Sequence, residues 1–225
     1  STLLTYAERR KKIDHHIKEL KPTLDKLSWF NILNREISNN KKKIMEMFLS
    51  FIKKDNEGNY INDVYCQKRF GAKAGVGPNV IPDGTKINCE HTWPQSKFTG
   101  AYPTEMQKSD LHHLFPSDSK ANSIRGNDNF TEVAHDTGDL ANNNCSISKF
   151  GSSTTSNNDG FEPPLTHKGN VARALFYFSV RYKISMNNEQ QMFLKKWNEQ
   201  VEKIFDQPTQ ILDFDEIKKS YRKLA

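Results

Sequence analysis

Apolar residues recur every three or four positions near both ends of the chain and lose that order through its middle, which predicts helical flanks around an irregular centre. Tyr6, Ile13, Ile17 and Leu20 form one stripe, Thr5 and Glu8 are spaced as a capping box, and Pro22 closes the run. Ile44, Phe48, Phe51 and Ile52 predict a second helix over residues 29–52, with Asn39-Asn40 as a point of interruption. Val171, Leu175, Phe178 and Tyr182 predict a helix over 168–184. Residues 185–188 then lead into another that reaches about Phe205, and Asp213 or Asp215 caps a final short one.

Between the flanks the reading is one of short strands and turns. Residues 55–59 read as a turn and 60–65 as a strand, whereas 71–84 is Gly- and Pro-rich and predicts an irregular loop. Residues 85–90 read as a short strand that Pro94 keeps from continuing in a sheet interior. Leu111, His113 and Phe115 alternate with His112 and Leu114, which predicts a strand entering a turn at Pro116. Ser117 is placed as an N-cap and Gly126 as a stop, so residues from about 118 to 125 should form a short helix with Asp118, Asn122 and Arg125 on one face. The polar stretch 127–159 is expected to be loop, and long loops inside a compact domain are more often functional than idle. The fold class expected is α+β: one domain, with a helical flank over 1–56, a core with loops over 57–165 and helices over 166–225.

Composition narrows the class. The hydrophobic fraction is 35% and mean hydropathy −0.79, yet 14 Phe, 7 Tyr and 3 Trp supply bulky core material, so a folded, very soluble protein is expected. No apolar run is long enough for a membrane span. Three cysteines allow one internal disulfide and leave one thiol over. All three pairings are open, with Cys89 to Cys145 the guess adopted and the remaining thiol expected to be buried. The net charge of +6 is unevenly spread: Lys and Arg outnumber Asp and Glu by 15 to 9 in residues 1–70 and by 10 to 7 in 171–225, but are outnumbered 8 to 11 in 71–170. Basic flanks would attract a polyanion while an acidic middle holds a cation, although Lys41-Lys42-Lys43 alone could be a solvated helix face.

Two stretches carry the candidate chemistry: Asn88-Cys89-Glu90-His91-Thr92-Trp93-Pro94-Gln95-Ser96, and Asp110-Leu111-His112-His113-Leu114-Phe115-Pro116 with Asn122 through Asn127. Glu90 and Asn122 offer oxygen ligands of the kind Mg²⁺ accepts while it keeps several waters. The His91 imidazole can take a proton from water near neutrality, and the Arg125 guanidinium can grip a phosphate. Glu90 and His91 would face opposite sides of a regular strand, so a bulge or a strand end is required there, or else base and metal ligand approach the phosphate from different sides. His112 and His113 should also face apart, with His113 either orienting the site or packed. Trp93 reads more readily as core than as a base-stacking platform. Glu162 and Arg173 are expected to brace the centre as an ion pair.

Together with Phe161-Glu162-Pro163-Pro164 and Lys168-Gly169-Asn170-Val171-Ala172-Arg173-Ala174-Leu175-Phe176-Tyr177, these motifs resemble the bacterial endonuclease I family of non-specific ββα-metal nucleases. The resemblance covers roughly residues 60–185 and implies a ββα-metal core. It implies His91 as general base, Glu90 and Asn122 as protein ligands of one Mg²⁺ for which Mn²⁺ can substitute, and Arg125 on phosphate in a catalytic or binding role. His113, Asn127 and Trp93 are further candidates for substrate contact. It further implies DNA as substrate, with RNA as a second possibility, products with 5′-phosphate and 3′-hydroxyl ends, a monomer, and secretion or a periplasmic location. After the last helix the family pattern is not followed, because the chain runs through Gln207-Pro208-Thr209-Gln210.

Two other readings compete. In one, the basic helices bind nucleic acid without cleaving it. In the other, His91, His112 and His113 hold zinc, against which stands the lack of helical zinc-ligand spacing.

Overall fold

The computed structural model describes residues 29–205 apart from Asn79, with side chains from 40 to 200. The expected helices near the N-terminus and beyond residue 208 lie outside the described residues. Residues 39–204 form one compact unit.

The chain enters on helix α1 (Trp29–Phe51), which Asn39-Asn40 does not interrupt. A hairpin of β1 (Lys53–Asp55) and β2 (Gly58–Asn62) follows, and the two-residue strand β3 (Arg69–Phe70) pairs with β2. The Gly- and Pro-rich stretch is irregular apart from a 3₁₀ turn at Ala72–Ala74, as expected.

The centre is a strand, strand, helix unit: β4 (Ile87–His91), β5 (Leu114–Asp118) and α3 (Ser119–Arg125), with the five-residue helix α2 (Thr104–Lys108) in the long connection between the strands. β4 and β5 pair antiparallel without a break from Ile87↔Asp118 to His91↔Leu114. Two expectations are corrected here. Leu111–His113 is a 3₁₀ turn rather than strand, and the strand runs through Pro116 instead of turning at it. Proline is tolerated there because the Pro116 carbonyl accepts from Val64 N, so that residue's backbone polar edge faces away from β4 and no cross-strand donor is missing. The N-cap is Asp118, whose side chain accepts from Ala121 N at 2.9 Å, and not Ser117.

The stretch 127–159, expected to be loop, contains most of a sheet. β6 (Asn129–Phe130), β7 (Val133–Asp136), β8 (Lys149–Ser153) and β9 (Asp159–Glu162) assemble in the order β6-β9-β8-β7, with β6 and β9 parallel. Helices α4 (Leu165–Tyr182) and α5 (Asn188–Phe205) complete the unit.

Two apolar clusters hold these parts. The larger joins Tyr65, Phe130, Phe161, Leu175, Phe178, Leu194 and Trp197 across the sheet, α4 and α5; the smaller joins Met47, Phe48, Ile61, Ile87 and Leu114 under α1. Cys66 pairs with Cys145, so the guess of Cys89 is corrected, and Cys89 is the free thiol, half-buried rather than fully buried. Among the described residues no helix is long and apolar enough to cross a membrane.

Candidate active site

Helix α3 lies against the face of β4 that carries Asn88 and Glu90. Asn122 Nδ2 donates to Asn88 Oδ1 at 2.8 Å, and one helical turn on, Arg125 Nη1 reaches Glu90 Oε1 at 3.2 Å. The i, i+3 pair on the helix thereby matches the i, i+2 pair on the strand. These contacts bring the carboxylate and the amide of the two motifs onto one face.

Glu90 is only 2% exposed, and Tyr65 donates its hydroxyl to the same Oε1 at 2.7 Å. Burial pushes the Glu90 carboxyl up, opposed by the Arg125 charge and the Tyr65 bond. Because both partners hold Oε1, Oε2 accepts no hydrogen bond from the described residues. The Asn122 amide is set in the same way: its NH₂ is spent on Asn88, which leaves Oδ1 as the open end of a partly exposed side chain. Asn88 is itself fixed by Ser117 and Ser119. The donor set of one carboxylate oxygen and one amide oxygen, each with its other end tied down, fits a hard divalent cation that retains water.

His91 is the last residue of β4 and its ring turns to the other side of the strand. Pairing up to it is unbroken, so there is no bulge at Glu90 and His91, and His91 stands at the strand end. His91 Nε2 lies 3.0 Å from Lys108 O, which requires the proton on Nε2 and leaves Nδ1 with its lone pair. Gln95 Nε2 sits 3.3 Å from that Nδ1. Burial lowers the His91 pKa to about 4, with the Lys108 carbonyl bond working the other way, so the ring is neutral near pH 7.

Behind it, His113 is fully buried, donates Nε2–H to Gln107 O at 2.9 Å and packs its ring 5.4 Å from that of His91. His113 therefore lies in the interior and buttresses the His91 ring. Trp93 likewise lies in the interior, stacked on Phe178 with ring centres 5.2 Å apart and 5% exposed.

Arg125, the expected phosphate contact, lies in the interior. Its guanidinium is 2% exposed and is occupied by Glu90, by the carbonyls of His91, Thr92 and Gly126, and by the Phe130 ring 4.6 Å away. Its Nη1 pairs with the buried Glu90 and, with Nη2, ties α3 to the end of β4, while its Nε has no partner among the described residues. Asn127 stays at the surface and donates to Ser96 Oγ.

The remaining candidates are dispersed. Asp118 is a cap and pairs with Lys68 at 2.9 Å. Exposed His112 bonds Asp110 and stacks on Tyr177, while the Nε2 atoms of His91 and His113 each face a backbone carbonyl, so the three histidines do not share an ion. Glu162 takes Lys168 at 2.6 Å, not Arg173, which bonds Asn170.

Sequence reasoning missed Tyr65, Asn88, Gln95 and Asp63. Asn88 and Gln95 lie inside the first motif and could have been weighed. Tyr65 lies 25 residues from Glu90 and carries no local signal. Asp63 collects the backbone N–H groups of Tyr65, Cys66, Lys68 and Asp118, which folds the tyrosine's loop against the centre; burial nonetheless pushes its carboxyl up.

A ββα unit with a buried carboxylate and a neutral imidazole at the strand end, inside an α+β unit, defines the ββα class of nuclease folds. The chain belongs to the Endonuclease I family, whose model matches residues 9–213. It is also 37% identical over 100 residues to an extracellular ribonuclease of Bacillus subtilis (strain 168), and 36% identical over 96 residues to one of Bacillus amyloliquefaciens. Each match covers 42% of this chain and 29% of the relative's length.

Proposed function

We propose that this protein is a divalent-metal-dependent endonuclease that hydrolyses phosphodiester bonds of nucleic acid, with His91 as the general base. The observation that carries the reading is the His91 tautomer: Lys108 O holds the Nε2 proton, and the lone pair of Nδ1 is left facing Gln95 on the residue that follows the buried Glu90. In that state the imidazole takes a proton from a water molecule as the water attacks phosphorus, and Gln95, already against Nδ1, orients either the ring or that water. The Lys108 carbonyl then stabilises the imidazolium that forms. Arg125 and Tyr65 oppose the effect of burial on Glu90 and hold it in place, and Asn88 does the corresponding service for Asn122. Glu90 and Asn122 would hold Mg²⁺, which when bound supplies charge stabilisation at the phosphate and the departing oxygen.

DNA is the expected substrate by family. RNA is a second one, favoured by the ribonuclease names of the two relatives, with 5′-phosphate and 3′-hydroxyl products in either case. Secretion or a periplasmic location accords with those names and with the Cys66–Cys145 disulfide.

The test is incubation of the purified protein with supercoiled plasmid and, separately, with a labelled RNA. Nicking that requires Mg²⁺, stops with EDTA and drops by about 10²–10⁴ in His91→Ala is expected. A mobility shift with intact plasmid and intact RNA would instead establish a binding protein without cleavage.

A further inference from the structure

With Arg125 only 2% exposed and turned to Glu90 and backbone carbonyls, the candidate site needs another cation that an incoming phosphate can reach. Lys97 meets that need. It ends the 3₁₀ turn Gln95–Lys97, the same turn whose Gln95 side chain touches His91 Nδ1, so it stands two residues from a group in contact with the base. Its residue is exposed, and its ammonium donates to the neutral amide oxygen of Asn129 at 3.0 Å. Among the described residues it makes no ion pair within 4.0 Å.

The turn is also held in place. Asn127 donates to Ser96 at 3.3 Å, so two hydrogen bonds join residues 95–97 to the segment that leaves α3. Lys97 and Arg125 line one shallow cavity of about 20 Å³ together with Thr92, Asp128 and Asn129. Lys97 is thus a cation beside a buried cation. Burial and the Arg125 charge both lower its pKa, and Asp128 opposes them. An arriving anion would relieve that repulsion.

We propose that Lys97 is the phosphate-contacting residue of the site, holding a backbone phosphate of the substrate next to the one attacked. The inference rests on the nuclease reading for its biological meaning, but its test does not depend on cleavage. A single contact of this kind carries no base information, so it weakens binding evenly across sequences and contributes to the salt dependence.

The experiment uses the full chain with His91→Ala as a cleavage-free background and a fluorescent 12-nucleotide single-stranded DNA as the probe, titrated by anisotropy from low to high salt. Lys97→Met, which keeps the stem, is expected to weaken binding several-fold at low salt. It should also flatten the plot of log K against log salt by about 0.7, the share of one phosphate on a single strand. Lys97→Arg should restore both. An unchanged slope in Lys97→Met would overturn the proposal. So would a loss that Lys97→Arg does not restore and that follows a fall in melting temperature, since that marks a bracing role. Failure of the wild-type chain to cleave would count against the nuclease reading alone.

Discussion

The β4-β5-α3 centre and the four-stranded sheet both bury charged side chains, but they handle them differently. At the centre Glu90 and Arg125 are each 2% exposed, and every support they have comes from the interior. In the sheet, Glu162 meets Lys168 at side-chain exposures of 17% and 11%, and Glu132 meets Lys196 at 20% and 52%. Rim pairs retain water as an alternative partner. The central pair has none, and an ionised group kept dry is useful where a cation has to be held. The difference teaches that the central pair depends wholly on its protein partners, as a preorganised site would require, while the other pairs act as ordinary bracing.

Removing one partner separates the two regions most strongly. Arg125→Met leaves Glu90 buried beside Tyr65 with no countercharge, and a loss of about 3–5 kcal/mol is expected by chemical denaturation. A loss under about 1 kcal/mol would place the centre with the rim.

The next effect is acid sensitivity. His167 is 2% exposed, packed on Tyr65 and Phe115, and its Nε2 has no hydrogen-bond partner; burial lowers its pKa to about 3. Between the ordinary histidine value near 6.5 and about 3, the unfolded chain binds a proton that the folded chain refuses. Stability from this residue is therefore full above pH 6.5 and is lost as pH falls, at about 1.4 kcal/mol per pH unit. His167→Phe should remove that share from the decline measured between pH 6.5 and 4.5. A decline as steep as in the wild type would show that the ring is not kept neutral by burial.

The smallest effect belongs to the rim. Lys196→Ala, at a pair whose lysine is half exposed, should cost less than about 1 kcal/mol and less still in high salt.

The two regions also differ in how far the sequence reveals them. The ββα unit was legible because its signals are local: Gly126 as a stop, helical spacing of Asn122 and Arg125, and a motif at the strand end. The helices α1, α4 and α5 were read from apolar stripes to within three residues at most boundaries. The sheet was not legible, since its strands have two to five residues and include glycines where strand formers are expected. Gly151 and Gly160 face each other across β8 and β9, and a Cβ on either would collide with neighbouring strands, the first with His135 O and the second with Thr131. Such residues mark close approach in the fold and read as loop in the chain. The surroundings of Arg125 are hidden for a related reason: its helical position is as expected, but only the fold shows that Glu90 and three carbonyls converge on it. The Cys66–Cys145 link was one of three open pairings, and nothing local favours it.

The claim on which the account turns is that Glu90 and Asn122 hold one divalent ion between them. Titration of Mn²⁺ into the purified protein, followed by electron paramagnetic resonance, reads this without substrate. One site per chain is expected, weakened roughly tenfold or more by Asn122→Ala and retained by His91→Ala. Asn122→Ala binding Mn²⁺ as tightly as the wild type would contradict it.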